Sequence, residues 1–438
     1  MGAGGEDAAV GMAGPGADAP CPTPPDPSGA RTIIPRTITW LLTAGAEAPD
    51  IPALLHLVGD HLRGDGVPLD RISLHLSILH PLYRGLTFIW RAGRGEVETI
   101  YREHGIETTP GFHNSPVSVI REEGAYGIRV QMGRVPPPYP FSIIDDLVAE
   151  GFTDYVGLPL VFGGGQRNVA TFASTRTAGF HSDHIALIHD VLPALAAMIE
   201  VRVQRLAAVN LLDVYVGAEA GQRILKGDIR RGTGLSIAAV LWYCDLRGFT
   251  GLADRLPMDQ LIALLNNYFD IMGGAVDRRG GEILKFIGDA MLAIFPVDRF
   301  AGEAELQAKA VLALDAAAEA MAGMRRLNAQ RAAWGMPKLG AGIALHVGDV
   351  LYGNIGATTR LDFTVIGPAV NLVTRLEGLT RRFDRRLLTS AAFAAALDGL
   401  DRREELISLG AHPVKGLDRP VEVFGLSAEG TVLLDVVL

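Results

Sequence analysis

The spacing of apolar and polar residues divides the chain into four stretches. Residues 1–36 hold almost no large apolar side chains and many prolines, which predicts a disordered tail. Residues 37–205 mix helical and strand-like apolar patterns and predict a first α/β domain, followed by a helical linker at 206–233. A second domain, with strands and helices that alternate, is predicted for residues 234–438.

The first domain is predicted to begin with a helix and to end with a β-hairpin and a long helix. Its elements are a helix at Ile51–Leu62, strands at Ser73–Leu79, Gly85–Arg91, Tyr155–Phe162 and Asn168–Ser174, and a helix from Asp183 to about Leu206. This order, carried mostly by Gly157–Glu200, resembles a GAF sensor domain, with a PAS-like sensor as the nearest alternative. His75 and His80 alternate with apolar residues, so we interpret them as strand positions that a sensor-domain ligand could use.

The last helix of this domain carries apolar residues at steps of three and four. These residues are Ile185, Ile188, Leu192, Leu195, Ile199 and, seven positions further on, Leu206. Such a stripe is typical of a parallel coiled coil between two chains, but a helix that packs on its own sheet has the same pattern. Both interpretations remain open from the sequence.

The C-terminal half follows a β-α-β-β-α-β order. Strands are predicted at Ser236–Cys244, Glu282–Ile287, Ala290–Phe295, Leu339–His346 and Leu361–Ile366, and helices at Met258–Val276, from Glu303 to about Trp334, and from Pro368 to about Leu379. The leading part of this order is typical of a ferredoxin-like fold.

Composition narrows the range of partners and compartments. The chain of 438 residues has a net charge of −9, which argues against nucleic acid as the main partner, because phosphate binding needs a positive surface. Its two cysteines, Cys21 and Cys244, form no disulfide framework and predict a reducing, cytoplasmic environment. We expect no membrane insertion, since no apolar stretch reads as long enough to span a bilayer.

Two carboxylates stand where metal ligands are often found. Asp245 directly follows an apolar strand, and Asp289 lies in the tight turn between two predicted strands. Strand ends and turns expose side chains at the edge of a sheet, and oxygen ligands suit Mg²⁺ or Mn²⁺. An isolated aspartate at such a turn would more often only cap it, so the surrounding sequence decides between the two interpretations.

Five longer segments in the C-terminal half follow one another around these carboxylates. They are CDLRGFT, GGEILKFIGDAMLAIF, GIALHVGDVLYGNIG, LDFTVIGPAVNLVTRLE and HPVKG, within about residues 236–426. In sequence and in order, these segments resemble those of the class III adenylate/guanylate (nucleotidyl) cyclase family. With the N-terminal resemblance, this implies an α+β protein in which a GAF-like α/β sensor domain and a helical linker precede a ferredoxin-like cyclase catalytic domain.

The resemblance implies a role for each matching residue. Asp245 and Asp289 match the aspartates that bind two Mg²⁺ or Mn²⁺ ions, with the backbone carbonyl of Leu246 as a further ligand. Lys285 and Thr364 match the pair that recognises adenine.

Three more residues match the part of the family's site that acts on the ribose and the phosphates. Asn371 and Arg375 match the residues that orient the ribose and stabilise the transition state, and Lys415 matches the lysine that holds the terminal phosphates. A guanidinium suits the charge that develops around the α-phosphorus, because it can donate to two oxygens at once. A lysine suits a polyphosphate, since it acts as a point charge.

The predicted reaction is conversion of ATP to 3′,5′-cyclic AMP and pyrophosphate. Lys285 can only donate a hydrogen bond, which suits the N1 acceptor of adenine, and Thr364 can accept from N6. Many adenylate-specific members carry aspartate where Thr364 stands, so the preference for ATP is less stringent here. The threonine variant resembles a bacterial subgroup in which bicarbonate stimulation is associated with this position. A guanylate cyclase and a catalytically silent, nucleotide-binding pseudo-cyclase are the alternatives.

The resemblance also implies a homodimer. In the family, the metal aspartates of one catalytic domain face the base-reading and transition-state residues of another, and this chain carries one copy of each set. We therefore expect a head-to-tail pair of chains joined through the cyclase domain and the linker helix. The N-terminal domain would then report an unknown small ligand or signal to the catalytic domain.

Overall fold

The computed structural model describes residues 36–298, 300 and 302–427, which form two compact units. The first unit ends at Leu211 and the second begins at Leu212. The predicted tail at 1–36 lies outside the described residues, apart from Arg36, which begins a helix.

The first unit is a six-stranded antiparallel sheet with helices. Its strands are β1 (Arg71–Ser77), β2 (Tyr83–Arg91), β3 (Glu98–Glu103), β4 (Ile128–Gln131), β5 (Asp154–Val161) and β6 (Arg167–Ser174). Its helices are α1 (Arg36–Leu42), α2 (Ile51–Gly64), α3 (Pro110–His113), α4 (Pro116–Arg121), α5 (Ser142–Ala149) and α6 (Ser182–Val216), the last of which runs on into the second unit. The strand order is β3-β2-β1-β6-β5-β4, so the predicted hairpin is the β5–β6 pair and β1 lies in the middle of the sheet.

The apolar stripe of α6 packs inside its own unit. Ile185, Ile188, Leu195 and Ile199 are at most 3% exposed and belong to the same core as α2 and one face of the sheet. Leu206 packs against that core as well. The structure therefore agrees with the second interpretation of the stripe, and any contact between two chains along α6 would have to use other residues.

The expectation that no apolar stretch is long enough to span a bilayer is wrong. Among the described residues, α6 is long and apolar enough to cross a bilayer when judged by length and composition alone. The apolar stripe of α6 faces the core of its own unit. The helix is longer than predicted, because it continues into the predicted linker and ends at Val216 rather than near Leu206. A core helix of a globular domain passes the same test, so this helix is weak evidence for a membrane span.

The second unit contains a mixed sheet with helices on both faces. Its strands are β7 (Gly234–Arg247), β8 (Glu282–Ile287), β9 (Ala290–Val297), β10 (Gly340–Ala357), β11 (Arg360–Ile366), β12 (Leu387–Ser390), β13 (Leu406–His412) and β14 (Val421–Leu426). Its helices are α7 (Ala218–Leu225), α8 (Phe249–Ala253), α9 (Met258–Arg278), α10 (Glu303–Ala333), α11 (Pro368–Arg382) and α12 (Ala391–Ala395).

The predicted β-α-β-β-α-β order is present as β7-α9-β8-β9-α10-β10. The strand order β13-β14-β12-β10-β7-β9-β8 places β9 between β7 and β8, the split β-α-β arrangement of ferredoxin-like folds. Strand β11 pairs with the far half of β10. Strand β7 therefore lies near the centre of the sheet, and Asp245 ends the apolar run of this strand.

Side chains along β7 alternate between the two faces of this sheet. Val240, Trp242 and Cys244 pack with α9 and α10, whereas Leu241 and Tyr243 pack on the side of α11. Because the strand period is two residues, Asp245 belongs to the α11 side. Cys244 is fully buried, and burial raises the pKa of its thiol to about 12, so it is a packing residue.

Candidate active site

The two predicted metal-binding aspartates lie side by side. Asp245 is paired across β7 and β9 with Ala290, the residue that follows Asp289. A two-residue turn joins β8 to β9, and the positive φ of Gly288 (64°) is the conformation that glycine supplies at the first position of such a turn. Burial and the neighbouring Asp245 carboxylate raise the pKa of Asp289 to about 6.

Helix α11 surrounds Asp245 with one cation and one further acid. Arg381 donates from Nη2 to Asp245 Oδ2 at 3.3 Å, and its side chain is 56% exposed. Glu377, one turn earlier, is buried and accepts from Thr380 Oγ1 at 3.1 Å. Burial and the charge of Asp245 raise the pKa of Glu377 to about 7. The carboxylates are thus crowded together, and Arg381 offsets only part of their charge.

A glycine in β10 allows α11 to approach this strongly acidic corner. Gly342 is the β10 partner of Asp245. A Cβ atom at position 342 would collide with the side chains of Glu377 and Thr380. The close packing of α11 on the sheet next to Asp245 therefore depends on the missing side chain.

The donor set fits a divalent cation that also binds phosphate. Among the described residues there is no cluster of three or more His, Cys, Asp or Glu side chains arranged to hold a metal ion. Two adjacent carboxylates that repel one another are instead the ligand set used when substrate phosphates complete the coordination. Pairing of β7 with β9 stops at Asp245. Strand β9 therefore does not pair with Leu246, whose backbone carbonyl is the further predicted metal ligand.

Lys285 and Thr364 line one cavity of about 1220 Å³ in the second unit. Thr364 is 4% exposed, and its hydroxyl has no hydrogen-bond partner among the described residues. Lys285 Nζ lies 3.6 Å from Asp362 Oδ2, and Asp362 also lines the cavity. A buried hydroxyl without a partner, next to a lysine and a carboxylate, is suited to a ligand that brings both donors and acceptors.

Asn371, Arg375 and Lys415 lie on a different part of the unit. Asn371 and Arg375 are four residues apart on α11 and share one face of the helix. The guanidinium of Arg375 lies against Gly416, so close that a Cβ there would be 3.1 Å from Nη2. Lys415 precedes Gly416 in the β13–β14 connection and is exposed. No carboxylate of the described residues forms an ion pair with Arg375 or Lys415.

The candidate residues therefore form separate groups within one chain. The cavity lining contains Lys285 and Thr364 but, among the described residues, none of the other candidate side chains. On α11, the residue in contact with Asp245 is Arg381, ten positions after Asn371, or about 15 Å along a helix axis. One chain thus holds all the candidate residues without gathering them at one point.

Three residues near these groups were not found from the sequence. Asp362 stands two positions before Thr364, and the two-residue strand period would have placed it on the same face. Glu377 and Arg381 had no comparable signal, because charges near the end of a helix commonly interact with its dipole and with solvent.

The comparison with known families agrees with this architecture. Residues 237–427 match the family described as "Adenylate and Guanylate cyclase catalytic domain". The C-terminal region is thus a class III cyclase catalytic domain, and whether it prefers ATP or GTP is a separate question.

The similar proteins include both kinds of cyclase. "Adenylate cyclase" of Anabaena cylindrica is 30% identical over 201 residues, which are 46% of this chain and 39% of that protein. This chain therefore spans about two-fifths of that relative's length. The adenylyl cyclase CyaB from P. aeruginosa is 28% identical, with a TM-score of 0.38, over 44% of this chain and 96% of that chain. The guanylyl cyclase Cya2 is 26% identical, with a TM-score of 0.37, over 44% of this chain and 95% of that chain.

Proposed function

We propose that the protein is an adenylate cyclase that makes cyclic AMP and pyrophosphate from ATP. The observation that carries the proposal is that Lys285 and the unpaired hydroxyl of Thr364 line one cavity. Lys285 would donate to adenine N1, and the unpaired hydroxyl of Thr364 would accept from the N6 amino group. Asp362 supplies a second acceptor beside Lys285, which compensates for the weaker acceptor strength of threonine.

The remaining residues fit the cyclisation of a nucleoside triphosphate. In this reaction the ribose 3′-oxygen attacks the α-phosphorus in line and pyrophosphate leaves. Asp245 and Asp289 would hold Mg²⁺ or Mn²⁺, with the Leu246 carbonyl as a further ligand. When bound, these ions would stabilise negative charge on the attacking and leaving oxygens. Asn371 would orient the ribose, Arg375 would donate to the oxygens around the α-phosphorus, and Lys415 would bind the terminal phosphates.

We infer that the working enzyme is a homodimer with sites shared between chains. The separation of Asp245 and Asp289 from Asn371, Arg375 and the base cavity supports this inference. Exposed apolar side chains next to these groups support it too: Phe286 and Ile287, which lie between Lys285 and the Asp289 turn, are 53% and 50% exposed. Adjacent exposed apolar residues often mark an interface with a second chain.

We further propose that the first unit is a GAF-like regulatory domain of a cytoplasmic enzyme. The segment that follows it in sequence supports this proposal. Residues Asp213–Glu219 and Arg223 line the cavity that contains Lys285 and Thr364. Arg223 also lies over the ring of Phe363, with its guanidinium carbon 5.2 Å from the ring centroid. A change in this segment would therefore reach the base-reading residues directly.

A guanylate cyclase is the second candidate function. Asp362 favours it, since a carboxylate can accept from guanine N1–H while Lys285 donates to O6. In an adenylate cyclase Lys285 would donate to adenine N1, whereas in a guanylate cyclase Lys285 would donate to guanine O6 and Asp362 would accept from guanine N1–H. A pseudo-cyclase is the third possibility, and the presence of all the predicted catalytic side chains argues against it.

The deciding experiment is a competition between equal amounts of ATP and GTP with Mn²⁺, with products measured by mass spectrometry. Cyclic AMP is expected to dominate. Lys285→Glu is expected to lower cyclic AMP formation by about ten- to a hundred-fold, because adenine N1 would then face an acceptor instead of a donor. Lys338→Glu, the same charge change at an exposed residue away from the cavity, serves as the control. A product that is mainly cyclic GMP would refute the ATP assignment, and no product from either nucleotide would favour the pseudo-cyclase.

A further inference from the structure

The central strand of the first unit has one polar and buried face. Ile72, Leu74 and Leu76 of β1 belong to the apolar core shared with α2 and α6. The alternate residues include Arg71 and His75, which point to the opposite side of the sheet. Charged residues are rarely buried in the middle of a sheet without a partner, so this face calls for an explanation.

This face forms the floor of a cavity of about 430 Å³ within the first unit. Thr87, Tyr155 and Thr171 lie beside Arg71 and His75 on the floor. The segment from Ile106 to Arg121, which includes α3 and α4, covers them. The cavity has the size of a small-molecule site, and it is lined by a mixture of apolar and polar groups.

Four arginines line the cavity, and the chain leaves them without acidic partners. They are Arg71, Arg84, Arg102 and Arg121. Two carboxylates, Glu107 and Glu122, also line it, but within the described part of the chain no acid forms an ion pair with any of these arginines. The cavity wall therefore carries a net positive charge.

Arg71 is the most buried of these arginines. It is 6% exposed, and its Nε is buried with no hydrogen-bond partner among the described residues. The Nε of Arg121 is also buried without a partner, although Nη2 of Arg121 donates to the His75 carbonyl at 3.3 Å. Burial and the charges of the arginines lower the pKa of His75 to about 3, so this ring is neutral and adds no charge of its own.

A buried guanidinium nitrogen without an acceptor is unfavourable, because it has lost hydration without gaining a hydrogen bond. Such a group is retained where a ligand supplies the missing acceptors. A carboxylate or phosphate accepts two parallel hydrogen bonds from a guanidinium, and two arginines that line the same cavity can hold the same anion. The apolar side chains of Ile89, Phe112 and Ile143 on the same cavity would contact a hydrocarbon portion.

We propose that this cavity binds a small organic anion, whose carboxylate or phosphate is held by Arg71 and Arg121 and whose apolar body packs on Ile89, Phe112 and Ile143. Binding itself follows from the cavity alone. A regulatory effect of binding rests in addition on the proposed cyclase function of the second unit.

The test measures binding to the full chain by isothermal titration calorimetry and by thermal unfolding. The probes are hexanoate, benzoate and phenyl phosphate, with benzamide as the neutral analogue and inorganic phosphate as an anion without an apolar body. At about 10 mM, a ligand with a millimolar Kd is close to saturating. At least one organic anion is expected to bind and raise the melting temperature, and benzamide is not. The comparison of benzoate with phenyl phosphate tells a carboxylate site from a phosphate site.

Variants link the binding to the arginines. Arg71→Gln is expected to weaken binding at least tenfold and, in the absence of ligand, to raise the melting temperature, because it removes an unpaired buried charge. Replacement of an arginine with a purely structural role would not both weaken binding and raise the melting temperature of the ligand-free protein. Arg121→Gln, at the other arginine proposed to hold the anion, is the second variant if the first does not fold. Arg94→Gln, the same charge change on the exposed β2–β3 loop, is the control.

Several results would overturn the proposal. They are no saturable binding by any organic anion of the panel, equal binding of benzamide, or unchanged binding by Arg71→Gln. Cyclase activity measured in the same samples separates the two claims. Binding without a change in rate would remove the regulatory role and leave the site, whereas an inactive second unit would leave the binding result unaffected.

Discussion

The affinity of the protein for Mn²⁺ is expected to rise about tenfold between pH 5 and pH 7, because Asp289 must lose a proton before it can bind a cation. The carboxyl group of Asp289 is half-buried next to Asp245, and its pKa is raised to about 6. With that pKa, about 10% of Asp289 is ionised at pH 5 and about 90% at pH 7. The tenfold change corresponds to about 1.4 kcal/mol of binding free energy.

The same titration makes a prediction for the metal-free protein. The pKa of Asp289 in the folded state lies above its ordinary value of 3.8, so the native state holds this proton more tightly than the unfolded chain does. The resulting stabilisation is complete below about pH 4 and is lost as the pH rises through 6. Mn²⁺ is therefore expected to raise the melting temperature strongly at pH 7 and little at pH 5.

The assay is a calorimetric Mn²⁺ titration at several pH values, in buffers that differ in their heat of ionisation. Proton release on binding is expected to be largest near pH 5 and to disappear above pH 7. Asp289→Asn is expected to weaken binding and remove the pH dependence, whereas Asp254→Asn, at an exposed aspartate, is expected to match the unaltered protein. Mn²⁺ affinity that is independent of pH, or unchanged by Asp289→Asn, would refute the assignment of this aspartate as a metal ligand.

Two further predictions concern the contact of α11 with the sheet. Glu377→Gln is expected to raise the melting temperature of the metal-free protein strongly at pH 8 and little at pH 4, since the buried carboxyl has a pKa raised from 4.5 to about 7 and its stabilising proton is lost as the pH rises through this range. An equal effect at both pH values would contradict this reasoning. Gly342→Ala is expected to destabilise the second unit by about 1–3 kcal/mol in urea unfolding, because its Cβ collides with Glu377 and Thr380. Gly378→Ala, where a Cβ meets open space, is the matched control, and a loss of similar size there would remove the steric explanation.

Local patterns were sufficient to predict most of the secondary structure of the second unit. The strand Glu282–Ile287 has the predicted bounds, because alternation and the Gly288 turn both mark its end. The adjacency of Asp245 and Asp289 has a different origin. It depends on β9 pairing with β7, a long-range choice that the local pattern of neither strand contains.

Other features were hidden because their signals are ambiguous or nonlocal. The C-terminal end of α6 was placed ten residues too early, since apolar residues continue through the predicted linker and no helix stop signal separates them. The contact of Arg381 with Asp245 joins residues far apart in the chain, and only the packing of α11 on the sheet creates it. The polar face of β1 was visible as His75 in an apolar run, but the four surrounding arginines come from separate elements.

The proposed sharing of active sites between two chains is tested directly by mixing two inactive variants. Asp245→Ala removes a proposed metal ligand, and Asn371→Ala removes the residue proposed to orient the ribose. Each variant alone is therefore expected to be inactive. In a 1:1 mixture half of the dimers are mixed, and each mixed dimer has one intact site of two, which predicts about 25% of the original activity. If mixed dimers form and the activity remains at the level of the single variants at every ratio, the shared-site account is wrong.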